Sequence, residues 1–261
     1  MPIQFSDKIQ TLDQEAFHKL DRSVMRAVFD TQNTLGCILD EKIYRNELTY
    51  RLEAQKLNCE SESEVMVAHR DFYKRYYVDL IIEGVVYELK AVTSLTKSHE
   101  AQTLNYLLLT NTQHGKLINF RPCSVHSKFV STKLTTAKRS RFDLYYQNSN
   151  LKPEYHPQIS DLFEDLGTHL EINLYRQALY HLLDCKIEAV KLQSHSGHVG
   201  NQSLALLNQE SALIVTGLKT SPRITAYRTQ LLRMLKLTNL ESFQWLNASN
   251  HSLTLSTLAR K

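Results

Sequence analysis

Asp79, Glu88 and Lys90 are the residues whose types and spacing could do chemistry. Asp79 lies near the end of a run of β-branched and aromatic residues, and Glu88-Leu89-Lys90 lies in the next such run. Side chains alternate along a strand, so Glu88 and Lys90 share one face while Leu89 takes the other. Glu83-Gly84 separates the two runs closely enough for a tight hairpin, which would bring Asp79 back beside Glu88. Two carboxylates so placed repel each other unless a cation intervenes, and the hard ions Mg²⁺ and Mn²⁺ favour oxygen ligands. An ion there could lower the pKa of a water and neutralise a scissile phosphate, with Lys90 orienting that water or stabilising the transition state. The same residue types also occur as plain ion pairs on surface hairpins, so the surrounding elements decide between the two.

From Ser23 to Lys56 the apolar spacing is helical, with a break at Thr34-Leu35-Gly36, which predicts two consecutive helices. A polar link follows from Asn58 to Glu64, then three strands over Val65 to Phe72, Arg75 to Ile82 and Val85 to Val92. Ser98 is placed to cap a helix running to about Asn111, and Gly115 to Phe120 reads as a further strand. The order is α-β-β-β-α-β.

The second half repeats the first. A shift of 128 pairs Gln102 with Gln230, Leu104 with Leu232, Leu107 with Leu235, Leu109 with Leu237, Thr110-Asn111 with Thr238-Asn239 and Asn119 with Asn247, seven identities in eighteen positions. With small shifts, Leu35-Gly36, Tyr44, Leu48 and Leu52 fall on Leu166-Gly167, Tyr175, Leu179 and Leu183, and Leu80-Ile81 falls on Leu206-Leu207. Two copies of one module are expected, residues 1–145 and 146–261, with a polar connector around Tyr146 to Ile159 that contains Pro153 and Pro157. In the second copy Ala205 stands opposite Asp79, Ile214 opposite Glu88 and Thr216 opposite Lys90. Such side chains do not hold a hard cation, so this copy is expected to be degenerate and non-catalytic, packing on the first as an intrachain pseudo-dimer or extending its nucleic-acid surface.

The stretches Leu35-Gly36, Glu41-Lys42-Ile43-Tyr44, Asp79-Leu80-Ile81, Tyr87-Glu88-Leu89-Lys90-Ala91, His99-Glu100-Ala101-Gln102, Asn105-Tyr106-Leu107 and Gly115-Lys116-Leu117-Ile118-Asn119-Phe120, in this order, resemble the GxxExxY protein family. That family is a branch of the PD-(D/E)XK nuclease-like superfamily, and the resemblance covers Ser23 to Thr135. It implies the α-β-β-β-α-β core of that superfamily, and with the internal repeat the chain is expected to be α/β (α+β), two tandem restriction-endonuclease-like modules with the second degenerate. It also implies a divalent-metal-dependent nuclease acting on DNA or RNA, with Glu41, Asp79 and Glu88 as metal ligands. Asp79, Glu88, Lys90 and Gln102 would be the catalytic set, with Tyr44 and Tyr106 facing substrate. Simple core packing is the competing role for Tyr106, and a buried amide bonded to backbone that for Gln102. The family's first motif glycine falls on Ile38 here, which leaves Asp40 as a rival to Glu41. A nucleic-acid-binding or assembly module that keeps the fold without turnover is the alternative.

The chain has 261 residues, 42% apolar, with 31 basic and 27 acidic side chains and a net charge of +4, mildly basic and little informative by itself. Local clusters say more. Lys74-Arg75 sits among Phe72, Tyr73, Tyr76 and Tyr77, and Lys138-Arg139-Ser140-Arg141 ends a run almost free of acids; such stretches track phosphate backbones and stack on bases. Lys74, Arg75, Lys138, Arg139 and Arg141 are therefore expected to bind substrate, against the competing role of a solvated basic edge. The four cysteines show no CxxC pairing. No apolar run approaches the roughly 18 residues that span a bilayer, and Met1 to Gln10 lacks an apolar leader, so a cytoplasmic protein without a membrane partner is expected.

Overall fold

A computed structural model of the chain describes residues 2–5 and 9–260, so part of the Met1 to Gln10 stretch lies outside the described residues. Two helices open the chain, α1 (Gln14–Leu35) and α2 (Glu41–Ala54), with a short strand β1 (Ile3–Phe5) ahead of them. Next come β2 (Cys59–His69), β3 (Phe72–Ile82), β4 (Val85–Lys90), α3 (Lys97–Thr110), β5 (His114–Asn119) and β6 (His126–Ser131). They form a six-stranded sheet in the order β1-β2-β3-β4-β5-β6. Strands β3 and β4 are antiparallel, β4 and β5 parallel, and β5 and β6 antiparallel.

After a single turn α4 (Thr136–Arg139) and strand β7 (Asp143–Gln147), the pattern begins again. It runs α5 (Tyr155–Leu166), α6 (Ile172–Leu182), β8 (Lys186–Ser194), β9 (Gly197–Leu206), β10 (Ser211–Thr216), α7 (Ser221–Leu237), β11 (Ser242–Ser249) and β12 (Ser252–Ala259). The second sheet has the order β7-β12-β11-β10-β9-β8. Here β9 and β10 are antiparallel, β10 and β11 parallel, and β11 and β12 antiparallel, the same relations as in the first sheet. The two sheets differ in their extra edge strand: β1 joins β2 in one, and β7 joins β12 in the other. The chain therefore holds two tandem α/β modules of one topology.

Two compact units follow, one reaching to Ala68 and including Tyr73–Lys138, the other containing His69–Phe72 and Arg139 onward. The stretch expected as a connector instead holds the end of β7 and the first turn of α5.

Several boundaries move for physical reasons. Helix α1 begins at Gln14 because the Asp13 carboxylate accepts from Ala16 N at 2.8 Å, a cap that precedes the apolar stripe. The polar link at Asn58 to Glu64 forms the more open half of β2, where side chains need not be apolar. Thr96, and not Ser98, caps α3, and His99 Nδ1 accepts from Thr96 N at 3.1 Å. Strand β4 stops at Lys90 because the Asn119 side chain holds Val92 through both its N–H and its carbonyl, at 3.0 and 2.7 Å.

The same local ties are built twice. Gly36 and Gly167 end α1 and α5 with φ of 73° and 71°, a region glycine occupies without strain. In the first unit Tyr44 Oη donates to Gly36 O at 2.9 Å and accepts from Leu39 N at 3.1 Å. In the second, Tyr175 Oη donates to Gly167 O at 2.5 Å and accepts from Leu170 N at 3.1 Å. Tyr44 stacks on Phe120, and Tyr175 on Phe163. Asn247 repeats the part of Asn119, bonding Leu218 N and Leu218 O at 2.8 and 3.0 Å. In each unit these residues join the helix pair and the strand ends around a separate core, Leu48, Leu80, Tyr87, Leu89 and Ile118 in the first and Ile214, Leu231, Leu235, Phe243 and Trp245 in the second.

Among the described residues no helix is long and apolar enough to cross a membrane. Removing the hydroxyl of either tyrosine strands a backbone N–H and a carbonyl, so Tyr44→Phe and Tyr175→Phe are each expected to cost about 1–3 kcal/mol. Urea unfolding of the two variants beside the parent chain checks this; unchanged midpoints would show that the ties are idle.

Candidate active site

The ladder pair Leu80↔Tyr87 brings Asp79 and Glu88 together at the open end of the β3–β4 hairpin. Glu41 comes to them from the first turn of α2, behind the Gly36–Tyr44 tie. Lys90 Nζ lies among the three carboxylates, 2.6 Å from Glu88 Oε1, 3.7 Å from Asp79 Oδ2 and 4.0 Å from Glu41 Oε2. Glu88 is the most enclosed, at 1% exposure of its side chain, whereas Glu41 keeps 34%. The Asp79 carboxylate is held at both oxygens: Oδ2 accepts from Leu89 N at 2.8 Å, and Oδ1 faces Arg45 Nη1 at 3.3 Å. Among the described residues, buried Glu88 Oε2 has no hydrogen-bond partner.

Burial and the neighbouring Asp79 charge, against the pull of Lys90, push the Glu88 carboxyl up to about 8. Burial likewise raises Glu41, with Lys90 opposing and Asp79 reinforcing the shift. For Lys90 burial acts to lower the pKa, but the Glu88, Asp79 and Glu41 charges outweigh it and the net shift is upward. The site thus keeps its ammonium charged and holds one carboxyl close to neutral.

Arg45 is the functional residue that sequence reasoning missed. It is 7% exposed and joins Asp79 to Glu62, with Nη2 2.6 Å from Glu62 Oε1. Its signal was present, because the same shift that pairs Tyr44 with Tyr175 pairs Arg45 with Arg176. Arg176 donates from Nη2 to Val215 O at 3.1 Å, tying its helix to β10.

The other expected site residues have partners and exposures of their own. Tyr44 is fully buried and its hydroxyl is committed to Gly36 and Leu39, so it shapes the approach to α2 and does not face substrate. Arg139 is 1% exposed, and its Nη1 donates to Leu166 O and Thr168 O at 2.9 and 3.3 Å, so it serves the turn after α5 and no phosphate reaches it. Gln102 is exposed on α3 and donates to Tyr106 Oη at 3.2 Å; Tyr106 is 6% exposed and stands edge-on to Tyr76. Lys74 Nζ lies 4.7 Å over the Tyr76 ring, while Arg75 and Tyr77 both reach Glu64. Tyr73, Arg75 and Tyr77 form an exposed alternating row on β3 before Asp79. Lys138 and Arg141 are exposed, the former donating to Lys133 O at 3.0 Å. Asp40 precedes the first residue of α2, and Glu41, not Asp40, is within 4.0 Å of Lys90.

The second unit has no such cluster. Its hairpin turn is longer, so the ladder pairs Ala205 with Leu213 and Leu206 with Ala212. Ala205 therefore does not take the place of Asp79; the register gives that place to Leu204, whose side chain joins Ile214 in the core. Ile172 stands where Glu41 is in the first unit, and Trp245 Nε1 donates to Thr216 Oγ1 at 2.9 Å. An apolar core fills the region that holds charges in the first unit.

Residues 18–133 match the family model described as the PD-(D/E)XK nuclease superfamily. The first module belongs to that superfamily. No curated protein and no solved structure matches the chain. The match spans α1 to β6 and contains Glu41, Asp79, Glu88 and Lys90.

The donor chemistry fits a hard divalent ion, since Glu41, Asp79 and Glu88 offer oxygens only and Glu88 Oε2 lacks a partner. Among the described residues no three acidic, His or Cys side chains are close enough to hold a metal as they stand. The Lys90 ammonium, bonded to Glu88, lies between them.

The folded chain holds the Glu88 proton more tightly than the unfolded chain, because its pKa near 8 exceeds the ordinary 4.5. The stability this adds is full below pH 4.5 and is lost as pH rises through about 8. With chelator present, the unfolding free energy of Glu88→Gln relative to the parent chain is expected to rise by on the order of 1–3 kcal/mol between about pH 5 and about pH 9. A pH-independent difference in denaturant unfolding would contradict the burial of this carboxyl.

Proposed function

We propose that the chain is a divalent-metal-dependent nuclease that hydrolyses phosphodiester bonds in DNA or RNA, with the first module catalytic and the second not. The observation that supports this most is the convergence of Glu41, Asp79 and Glu88 on Lys90, with a buried Glu88 oxygen left partnerless. Bound Mg²⁺ or Mn²⁺, held by Glu41, Asp79 and Glu88, would supply Lewis-acid neutralisation of phosphate charge. Arg45 and Leu89 N fix the Asp79 carboxylate so that it does not rotate away. Lys90, whose ammonium the surrounding carboxylates favour, would orient an attacking water by hydrogen bonding and stabilise charge on the phosphate in the transition state. Gln102, paired with Tyr106, is assigned to the rim of the site. Arg75 with Tyr73 and Tyr77, together with Lys74, Lys138 and Arg141, is assigned to the strand outside it. An intrachain pairing of the two modules belongs to the same reading.

A binding or assembly role without turnover has one observation in its favour: Lys90 already neutralises Glu88 at 2.6 Å. Thermal unfolding separates the two. Mn²⁺ at about 100 times its dissociation constant is expected to stabilise the parent chain by about 2.7 kcal/mol, and Asp79→Ala is expected to lose this shift; no shift in the parent favours the binding role.

Hydrolysis of a labelled oligonucleotide with Mg²⁺ or Mn²⁺ tests the activity itself. Asp79→Ala and Lys90→Ala should each lower the rate on the order of 100-fold or more. Equal activity in all three proteins would rule out this site.

A further inference from the structure

The second module departs from the first most in its long helix. In the first, α3 buries seven residues and carries one lysine and one glutamate. Its counterpart α7 buries only Leu231 and Leu235, and its seventeen residues include Arg223, Arg228, Arg233 and Lys236 with no acid at all. All four cations are exposed, as is Lys219 just before the helix. None of the five has an ion-pair partner among the described residues, although the chain as a whole has 27 acidic residues to offer. From Ser211 to Arg260 six basic residues face a single acid, Glu241.

A second observation lies beside the helix. A groove of about 460 Å³ runs between α7 and β12, floored by Leu232, Leu235 and Leu258 and edged by Arg228, Lys236 and Arg260. Arg260 is pinned there by donating from Nη2 to the carbonyls of Leu235 and Thr238. Three guanidinium or ammonium groups around one groove, with no carboxylate among its described lining residues, repel one another unless an external anion screens them.

Spacing points to the kind of anion. At 1.5 Å per residue, the cations that share a face, Arg228 to Lys236, cover about 12 Å, three to four base-pair steps of a duplex axis, and Arg223 lies about 8 Å further toward the N-terminus, off that face. At 100° per residue Arg228, Lys236 and Arg233 fall within an arc of about 140°. That is a rod of charge, suited to a polymer of phosphates along its length and not to one small anion. The vacated chemistry of this module matches the change, since the region equivalent to the first module's active site is apolar core sealed by Trp245 and Tyr227 against α7. A helix no longer needed to line a reaction centre is free to carry charge outward.

We propose that α7 and the adjoining groove bind the phosphate backbone of a nucleic acid, making the second module the substrate-holding half of the chain. The inference rests on the nucleic-acid substrate of the preceding subsection, but needs no turnover. Binding by α7 would be independent of sequence, because backbone contacts carry no base information.

The test uses the full chain carrying Asp79→Ala, in chelator, with a labelled DNA duplex and the matching RNA duplex, by fluorescence anisotropy over a salt series. Replacing Arg223, Arg228, Arg233 and Lys236 by Ala, a strong helix former, is expected to weaken binding roughly tenfold or more at low salt. The same change should reduce the slope of log affinity against log salt by about 3 to 4 for a DNA duplex. Replacing the three arginines by Lys should keep most of the slope. Unchanged affinity and slope in the Ala variant would overturn the inference, as would equal loss in the Lys variant or binding of anionic phospholipid vesicles without duplex binding. Hydrolysis by the chain with Asp79 intact is read in parallel. Hydrolysis with α7-independent binding sinks this inference alone, whereas α7-dependent binding without hydrolysis sinks only the nuclease reading.

Discussion

Three carboxylates and one ammonium are brought to one place at the edge of a hydrophobic sheet, and that charge balance constrains everything near it. Glu88 is enclosed, and an unpaired charge there is expensive to bury, so it takes Lys90 as a partner and holds its own proton up to about pH 8. Asp79 is satisfied instead by the guanidinium of Arg45 and by a backbone N–H.

Comparison of the two modules separates scaffold from chemistry within one chain. Gly36, Tyr44, Arg45 and Asn119 have counterparts in Gly167, Tyr175, Arg176 and Asn247; the glycine carbonyls accept from the tyrosines, and the other side chains bond backbone or brace a neighbouring element in both. Glu41, Glu88 and Lys90 have become Ile172, Ile214 and Thr216. Without the charges the second module needs no solvent access at that end, and Trp245 and Tyr227 close it with apolar contacts. Helix α7 packs Leu231 and Leu235 into its core and presents a cationic outer surface.

The element order α-β-β-β-α-β and its repetition were legible from apolar periodicity and from the shift of 128, because cores are built from spacing. The carboxylates and lysine were legible as well, since strand alternation and a two-residue turn require Asp79, Glu88 and Lys90 to meet. Arg45 was passed over because a basic residue on a helix ordinarily faces water. Tyr44 and Arg139 read as ligand-facing for the converse reason, since a hydroxyl or a guanidinium shows no sign in sequence of the carbonyl that will claim it. Ala205 was misplaced by one residue because turn length sets ladder register.

By itself, then, the sequence determined the repeated topology, the apolar and hydroxyl residues that stand in the second copy where the first has Glu88 and Lys90, and the presence of a charged trio in the first. These follow from local rules of periodicity and alternation, which act over a few residues. The tertiary structure alone decided that Glu41 joins the trio, that Arg45 braces Asp79, and which basic residues are buried as supports and which stand exposed on α7. Those outcomes turn on burial and on partners tens of residues away, where desolvation and Coulomb terms, not spacing, set the result.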